Sequence, residues 1–243
     1  MDPIDLLYGG LDKLGPGADT DTRHVLRQLP RQRFEVVVDA GCGTGRQTLV
    51  LARELGAPIH AIDSHEPFLA RLRERARAAG LGHLVQTRCM DMSEIPHVFP
   101  RVDLLWSEGA AYTIGFASAL ATWAPAIDAD GFVVVSELSW VRPQAPTAVR
   151  EFFRTGYPDM RSVEQNLAVV ERAGYRSIAT HRIPGEAWID GYYDVLEPRA
   201  KALVEHADAA VRHMATETIE EIEIFRQSAG SYAYVFYVLA KAT

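Results

Sequence analysis

FEVVVDAGCGTGRQTLVLA, residues 34–52, holds the reading from which the rest of the chain follows. Glu35 to Asp39 form an apolar, β-branched run that ends in an acid, the signature of a buried strand. Glycines at 41, 43 and 45 follow at once, and the pattern from Gln47 onward reads as a helix. A strand that turns through three closely spaced glycines lets its backbone approach a ligand, with the N-terminus of the next helix aimed at it.

The spacing D-x-G-x-G-x-G, Asp39 to Gly45, resembles the first motif of class I S-adenosylmethionine-dependent methyltransferases. It differs from the dinucleotide fingerprint G-x-G-x-x-G, whose third glycine lies in the first helical turn. Arg46 occupies that position here, and the third glycine arrives one residue early. S-adenosylmethionine has no phosphate to hold tightly, and a negative Asp39 suits an ammonium and a sulfonium better than a pyrophosphate.

With 243 residues, 48% of them apolar, the chain fits one α/β domain with an elaboration, 1–243. A formal charge of −7 and the lack of a Lys/Arg run argue against nucleic acid as a partner. Arg71, Arg73, Arg75 and Arg77 alternate along an expected helix and read as a solvated surface. No apolar segment reaches the roughly 20 residues of a membrane span, and the first residues carry no signal-peptide pattern, so a cytoplasmic protein without a membrane partner is expected. Two cysteines exclude a disulfide framework, and no His/Cys grouping has metal-site spacing, so no metal is expected.

Apolar runs alternate with amphipathic stretches, the pattern of a doubly wound, mostly parallel sheet covered by helices. Strands are expected near 35–39, 58–63, 84–88, 102–107, 132–137, 175–181 and 232–240. Helices are expected at 47–55, 66–79, 116–126, 147–154 and 162–173, with Gly56, Gly80, Gly131 and Gly174 as stops. The stretch 185–230 breaks the rhythm and reads as a helical insertion between the last two strands, rich in aromatics at first and then acidic from Glu217 to Glu223. The segment 1–30 contains a loop, LGPGADTDT, that runs into a helix capped by Asp19, Thr20 or Asp21.

Asp63 ends the second strand, where an acid in a doubly wound sheet accepts from ribose hydroxyls, the role favoured here over capping the following helix with Ser64. Asp91, after the third strand, suits an adenine amino group with Met90 or Met92 against the ring, or else stabilises a turn. Trp106, Ser107 and Glu108 emerge at the carboxyl edge of the fourth strand, where such sheets hold ligands. Cys42 lies inside the glycine loop with no activating neighbour in sequence, so its small size matters more than its thiol.

WSEGAAYTIGF (106–116), VSELSWV (135–141), the GYPDM block (156–160) and WIDGYYDVLEPR (188–199) resemble a bacterial subgroup of small-molecule methyltransferases related to the ubiquinone and menaquinone C-methyltransferases. Gly15-Pro16-Gly17 matches that subgroup's N-terminal loop. The resemblance implies a seven-stranded sheet whose last strand is antiparallel. It implies S-adenosyl-L-methionine contacts at Asp39, Gly41, Gly43, Asp63, Asp91 and Met92, and Cys42, Ser64 and Ser107 join them as candidates. The acceptor stays open.

Methyl transfer from a sulfonium is an in-line displacement that needs the nucleophile about 3–3.5 Å from the methyl carbon. Where the acceptor must lose a proton, Glu108 and Glu137 are the candidate bases, both expected to face the cleft. Trp106, Tyr112, Trp140, Tyr157, Trp188, Tyr192 and Tyr193 are candidate substrate contacts, about half of the later aromatics being expected to line the pocket. The expected partner is a small molecule, with a homodimer possible. Two other readings stand beside this one: binding of S-adenosylmethionine without transfer, and a nicotinamide oxidoreductase, which Arg46 disfavours. Nucleic-acid amino-methylation is disfavoured because Asn166 lies in no N-P-P-[YFW] context.

Overall fold

In a computed structural model, residues 2–242 are described; the end residues of the expected 1–243 and 1–30 spans lie outside them. Strands β1 (Val37–Ala40), β2 (Ile59–Asp63), β3 (Val85–Cys89), β4 (Val102–Ser107), β5 (Ile127–Trp140), β6 (Arg161–Ser162), β7 (Tyr175–Arg182) and β8 (Tyr232–Lys241) form one sheet. Its main order is β3-β2-β1-β4-β5-β8-β7, with the two-residue β6 pairing beside the far end of β5. β8 runs antiparallel between β5 and β7; the other pairings are parallel. This is the Rossmann-like methyltransferase fold, with a reversal of strand order beside β1.

The helices are α1 (Pro3–Tyr8), α2 (Asp19–Leu26), α3 (Arg46–Leu55), α4 (Glu66–Ala78), α5 (Ile95–Val98), α6 (Phe116–Trp123), α7 (Thr147–Gly156), α8 (Val163–Arg172), α9 (Glu186–Trp188), α10 (Asp194–Leu203) and α11 (Ala209–Gln227). They cover both faces of the sheet, so β1 and β4 are buried on either side and alternate their contacts between two cores. Val37, Leu104, Trp106, Val134 and Phe236 face the core beneath α2, α3 and the insertion. Val38, Leu105, Val133, Val135 and Tyr237 face the core beneath α6 and α8. No helix among the described residues is long and apolar enough to cross a membrane.

Three local expectations change. Gly131 stops no helix: it sits inside β5, where a Cβ would meet the Val102 carbonyl at 2.9 Å, beside the register shift of the β4–β5 pairing. α2 has Ala18 at its N-cap, and Asp21 reaches back to accept from the Ala18 amide at 3.0 Å. Arg75 is no solvated surface group: it donates to the carbonyls of Thr44 (2.7 Å) and Asp12 (2.9 Å), clasping the glycine loop to the N-terminal segment. Period alone placed it outside because the segment that covers it comes from far up the chain.

Gly45 caps α3 at φ +80°, a backbone state costly to any residue with a Cβ, and an added Cβ would strike the Leu72 side chain. Gly45→Ala is expected to lower stability by about 1–3 kcal/mol, read as a reduced urea midpoint at unchanged slope.

Candidate functional site

The carboxyl edge of β1, β2 and β4 opens into a cleft of about 380 Å³, lined by the glycine loop, Asp63, the Met90–Met92 turn, Glu108–Ala110 and the N-terminal residues Asp12 to Pro16. The loop is pinned to β2: the Ile62 carbonyl accepts from the amides of Gly41 (2.8 Å) and Cys42 (2.9 Å), and Asp63 Oδ2 accepts from the amide of Gly43 (2.8 Å). Asp63 Oδ1 accepts from the His65 amide at 2.9 Å, so the same carboxylate also turns the chain into α4. Leu14 covers Gly43 so closely that a Cβ there would come within 2.7 Å of its Cδ1.

A nucleoside with an amino-acid tail fits the chemistry of this lining. Asp63 lies in the wall with lone pairs left for hydroxyls. Ile62, Met90 and Met92 give apolar flanks beside Asp91. Asp91 also caps the turn after β3, accepting from the Ser93 amide at 2.8 Å, and bonding to Ser93 holds its carboxyl below the ordinary value. Asp91 therefore stabilises the turn and also lines the cleft. Gly41, Cys42, Gly43, Ser64 and Met92 line the cleft as well. Burial pushes the Cys42 thiol well above its usual pKa, so it offers no thiolate.

Two residues expected at the ligand, Asp39 and Ser107, are elsewhere. Asp39 is fully buried beneath the loop and does not line the cleft. It accepts from Thr48 Oγ1 (2.5 Å) and Gln47 Nε2 (3.2 Å), tying β1 to α3, and burial pushes it up to about 7. Ser107 is likewise buried, and its hydroxyl has no partner.

Glu108 does reach the cleft, but it is not a free base. Its carboxylate accepts from Trp106 Nε1 (2.8 Å) and Thr22 Oγ1 (2.8 Å) and pairs with Arg46. Three donors thus already occupy this carboxylate, and the Arg46 ion pair holds it in place. Glu137 is not beside it. Glu108 continues the β4 alternation toward α2 and α3, whereas Glu137 lies on the opposite face of β5, so the expectation that both share one cleft fails on the pleat.

In sequence Arg46 marks only a departure from the dinucleotide motif; in the structure it stands in the cleft wall, held by Glu108 with Asp19 at 3.5 Å. Nothing local in the sequence marked that pairing, since the partners are 62 residues apart.

A second cavity of about 240 Å³ lies beside the first, lined by Tyr112, Leu138, Phe152, Phe153, Gly156, Tyr157, Trp188, Glu221, Tyr232 and Tyr234. The two meet at the turn after β4: Gly109 lines the cleft, and a Cβ on it would stand 3.9 Å from the Tyr234 ring. Tyr112, Tyr157 and Trp188 are thus at the chamber. Trp140 lines a groove on another side, Trp106 is wholly buried, and Tyr192 and Tyr193 stack on each other (5.0 Å between centroids) behind the wall. Tyr193 donates to Glu221 Oε1 at 2.6 Å. Glu221, Tyr232 and Tyr234 escaped sequence reading because they lie on a surface-like acidic helix and a core-like strand. Tyr157 donates to Glu137 Oε1 at 2.7 Å, and Glu137 Oε2, though buried, has no partner. Burial pushes the Glu137 carboxyl up to about 7.

Residues 37–131 match the sequence model of a family described as a methyltransferase domain. Over 97 residues the chain is 27% identical to methyltransferase GfsG of Streptomyces halstedii, spanning 40% of this chain and 35% of that protein. Over 91 residues it is 35% identical to the malonyl-[acyl-carrier protein] O-methyltransferase of Salmonella typhimurium, spanning 37% and 34%. The chain thus spans about a third of the length of these curated relatives. A solved S-adenosylmethionine-dependent methyltransferase from Geobacter sulfurreducens, in complex with S-adenosyl-L-homocysteine, shares the fold at TM-score 0.81 and 18% identity, covering 98% of this chain and 97% of that one. The whole chain thus shares the methyltransferase fold, and residues 37–131 are similar to a methyltransferase-domain family.

Glu137→Gln gives a stability test. Between about pH 4.5 and 7 the folded protein keeps a proton at Glu137 that the unfolded chain releases, so the wild type loses stability as pH rises through that window, while the amide does not titrate. Relative to the variant, the wild type is expected to lose about 3 kcal/mol between pH 4 and pH 8, measured by urea unfolding across that range.

Proposed function

We propose that this chain transfers a methyl group from S-adenosyl-L-methionine to a small-molecule acceptor by in-line displacement. One observation carries the reading: a nucleoside-sized cleft at the glycine loop abuts an aromatic chamber across the single turn Glu108–Tyr112. The sulfonium, when bound, supplies an electrophilic methyl carbon; the residues supply binding, alignment and exclusion of water. Asp63 would take the ribose hydroxyls and Asp91 the adenine amino group, with Met90 and Met92 flanking the ring. Arg46 would hold the carboxylate tail, oriented by Glu108 and Thr22. Asp39 acts through the loop it braces rather than on the ligand.

The segment 1–30 and the insertion 185–230 close the two cavities as lids. Asp12 to Pro16 lie over the glycine loop, and Trp188 and Glu221 form the outer chamber wall. The two lids are fastened together: Lys13 Nζ donates to the carbonyls of Ala187 (2.6 Å) and Asp190 (2.9 Å), and the Gly17 amide to that of Ala187 (3.2 Å). The kinship with quinone C-methyltransferases through the WSEG block, Trp106–Gly109, belongs to this reading too: its Trp and Glu are hydrogen-bonded to each other at the cleft edge.

S-adenosyl-L-homocysteine is expected to bind with a calorimetric heat that reduced nicotinamide cofactor does not give; the reverse pattern would place the chain among oxidoreductases. Asp63→Ala is expected to weaken that binding at least tenfold, about 1.4 kcal/mol or more. With labelled S-adenosylmethionine and a pool of small metabolites, label should appear in a product; label that stays on the cofactor would mean binding without transfer.

A further inference from the structure

We propose that the acceptor is a small amine, held as its cation in the aromatic chamber until it is deprotonated for methylation; this rests on the methyl-transfer reading above. The chamber's walls are π faces and one carboxylate: Tyr112, Tyr157, Trp188, Tyr232 and Tyr234 surround it with Glu221, and no Lys, Arg or His lines it. Such faces attract an ammonium through their quadrupoles, more strongly as water is removed. A second acid, Glu137, stands behind Tyr157.

Two polar atoms at this place lack partners. Tyr232 is 3% exposed, and its hydroxyl makes no hydrogen bond; Glu137 is 2% exposed, and its Oε2 makes none. Buried polar groups without partners are rare; Tyr232 lines the chamber itself, and Glu137 adjoins it through Tyr157. A carboxylate or phenolate acceptor would add negative charge to a chamber with one acid in its wall, a second behind Tyr157, and no Lys, Arg or His in its lining, which electrostatics opposes. An ammonium reverses that balance and gives Glu221 and the tyrosine oxygens a donor. The volume, about 240 Å³, lies below the roughly 300–1,000 Å³ of drug-sized sites, so the amine is small.

Tyr157 gives the proton a route. An ammonium donating to Tyr157 Oη can pass a proton to that oxygen while the tyrosine's own proton moves along its 2.7 Å hydrogen bond to Glu137. The freed nitrogen lone pair then forms the bond to the methyl carbon. The electron pair of the breaking carbon–sulfur bond stays on sulfur, which becomes a thioether, and the product leaves as a methylated ammonium. Glu137 afterwards returns its proton to solvent, and atoms and charge balance.

The test uses the full chain loaded with S-adenosyl-L-homocysteine, whose affinity is measured first. Choline serves as a cation that cannot be methylated further, and 3,3-dimethylbutan-1-ol as its neutral isostere. Choline is expected to bind at least tenfold more tightly than the alcohol. Glu221→Gln should abolish that preference while leaving homocysteine-nucleoside affinity within twofold. Should Glu221→Gln fail to fold, Tyr112→Leu, on a different element and 46% exposed, should reduce choline affinity severalfold by removing one π face. With labelled cofactor, small primary and secondary amines should gain label in preference to matched alcohols and thiols. If the homocysteine nucleoside binds but choline does no better than the alcohol, the amine assignment is overturned and the methyltransferase reading stands. If the folded protein binds no homocysteine nucleoside, both fall.

Discussion

Three successive amides at the end of β1 have their acceptors on β2. Gly41 and Cys42 donate to the Ile62 carbonyl, and Gly43 to the Asp63 carboxylate. That anchoring makes a backbone reversal rigid where glycine would otherwise leave it loose, and it sets both the direction of α3 and the floor of the cleft. Asp39 reinforces it from below through Gln47 and Thr48, Arg75 from above through Thr44. The cleft is therefore a by-product of satisfying backbone donors, with few side chains committed to it alone.

The fold was largely legible because β1, β2, β4 and α3 are specified by local pattern: β-branched runs, glycine stops and helical spacing. β4 and the start of β7 fall where the apolar runs put them, and β5 runs longer because Ile127–Gly131 pairs onward through a bulge that no period reveals. The cleft was legible for the same reason, since Asp63, Asp91 and the glycines that line it sit at strand ends. The second cavity was not. Glu221 looks like one of several acids on a solvated helix, and Tyr232 and Tyr234 like alternating residues of a core strand; only the docking of α11 over β8 turns them toward one space.

The two glutamates show how far strand ends can mislead. Glu108 and Glu137 both leave neighbouring strands at the carboxyl edge, yet the pleat sends them to opposite faces, and their surroundings then give them different chemistry. One is neutralised by Arg46 and two further donors; the other is buried with a tyrosine and a bare oxygen.

Lys13 joins the N-terminal strap to the insertion through two carbonyls, and burial lowers its ammonium to about 8. Arg199 adds a second clasp, reaching back from α10 to the carbonyls of Leu7 and Gly9. The strap beside the cleft and the insertion that walls the chamber are thus bonded to each other. A shift of either wall would therefore pull on the other.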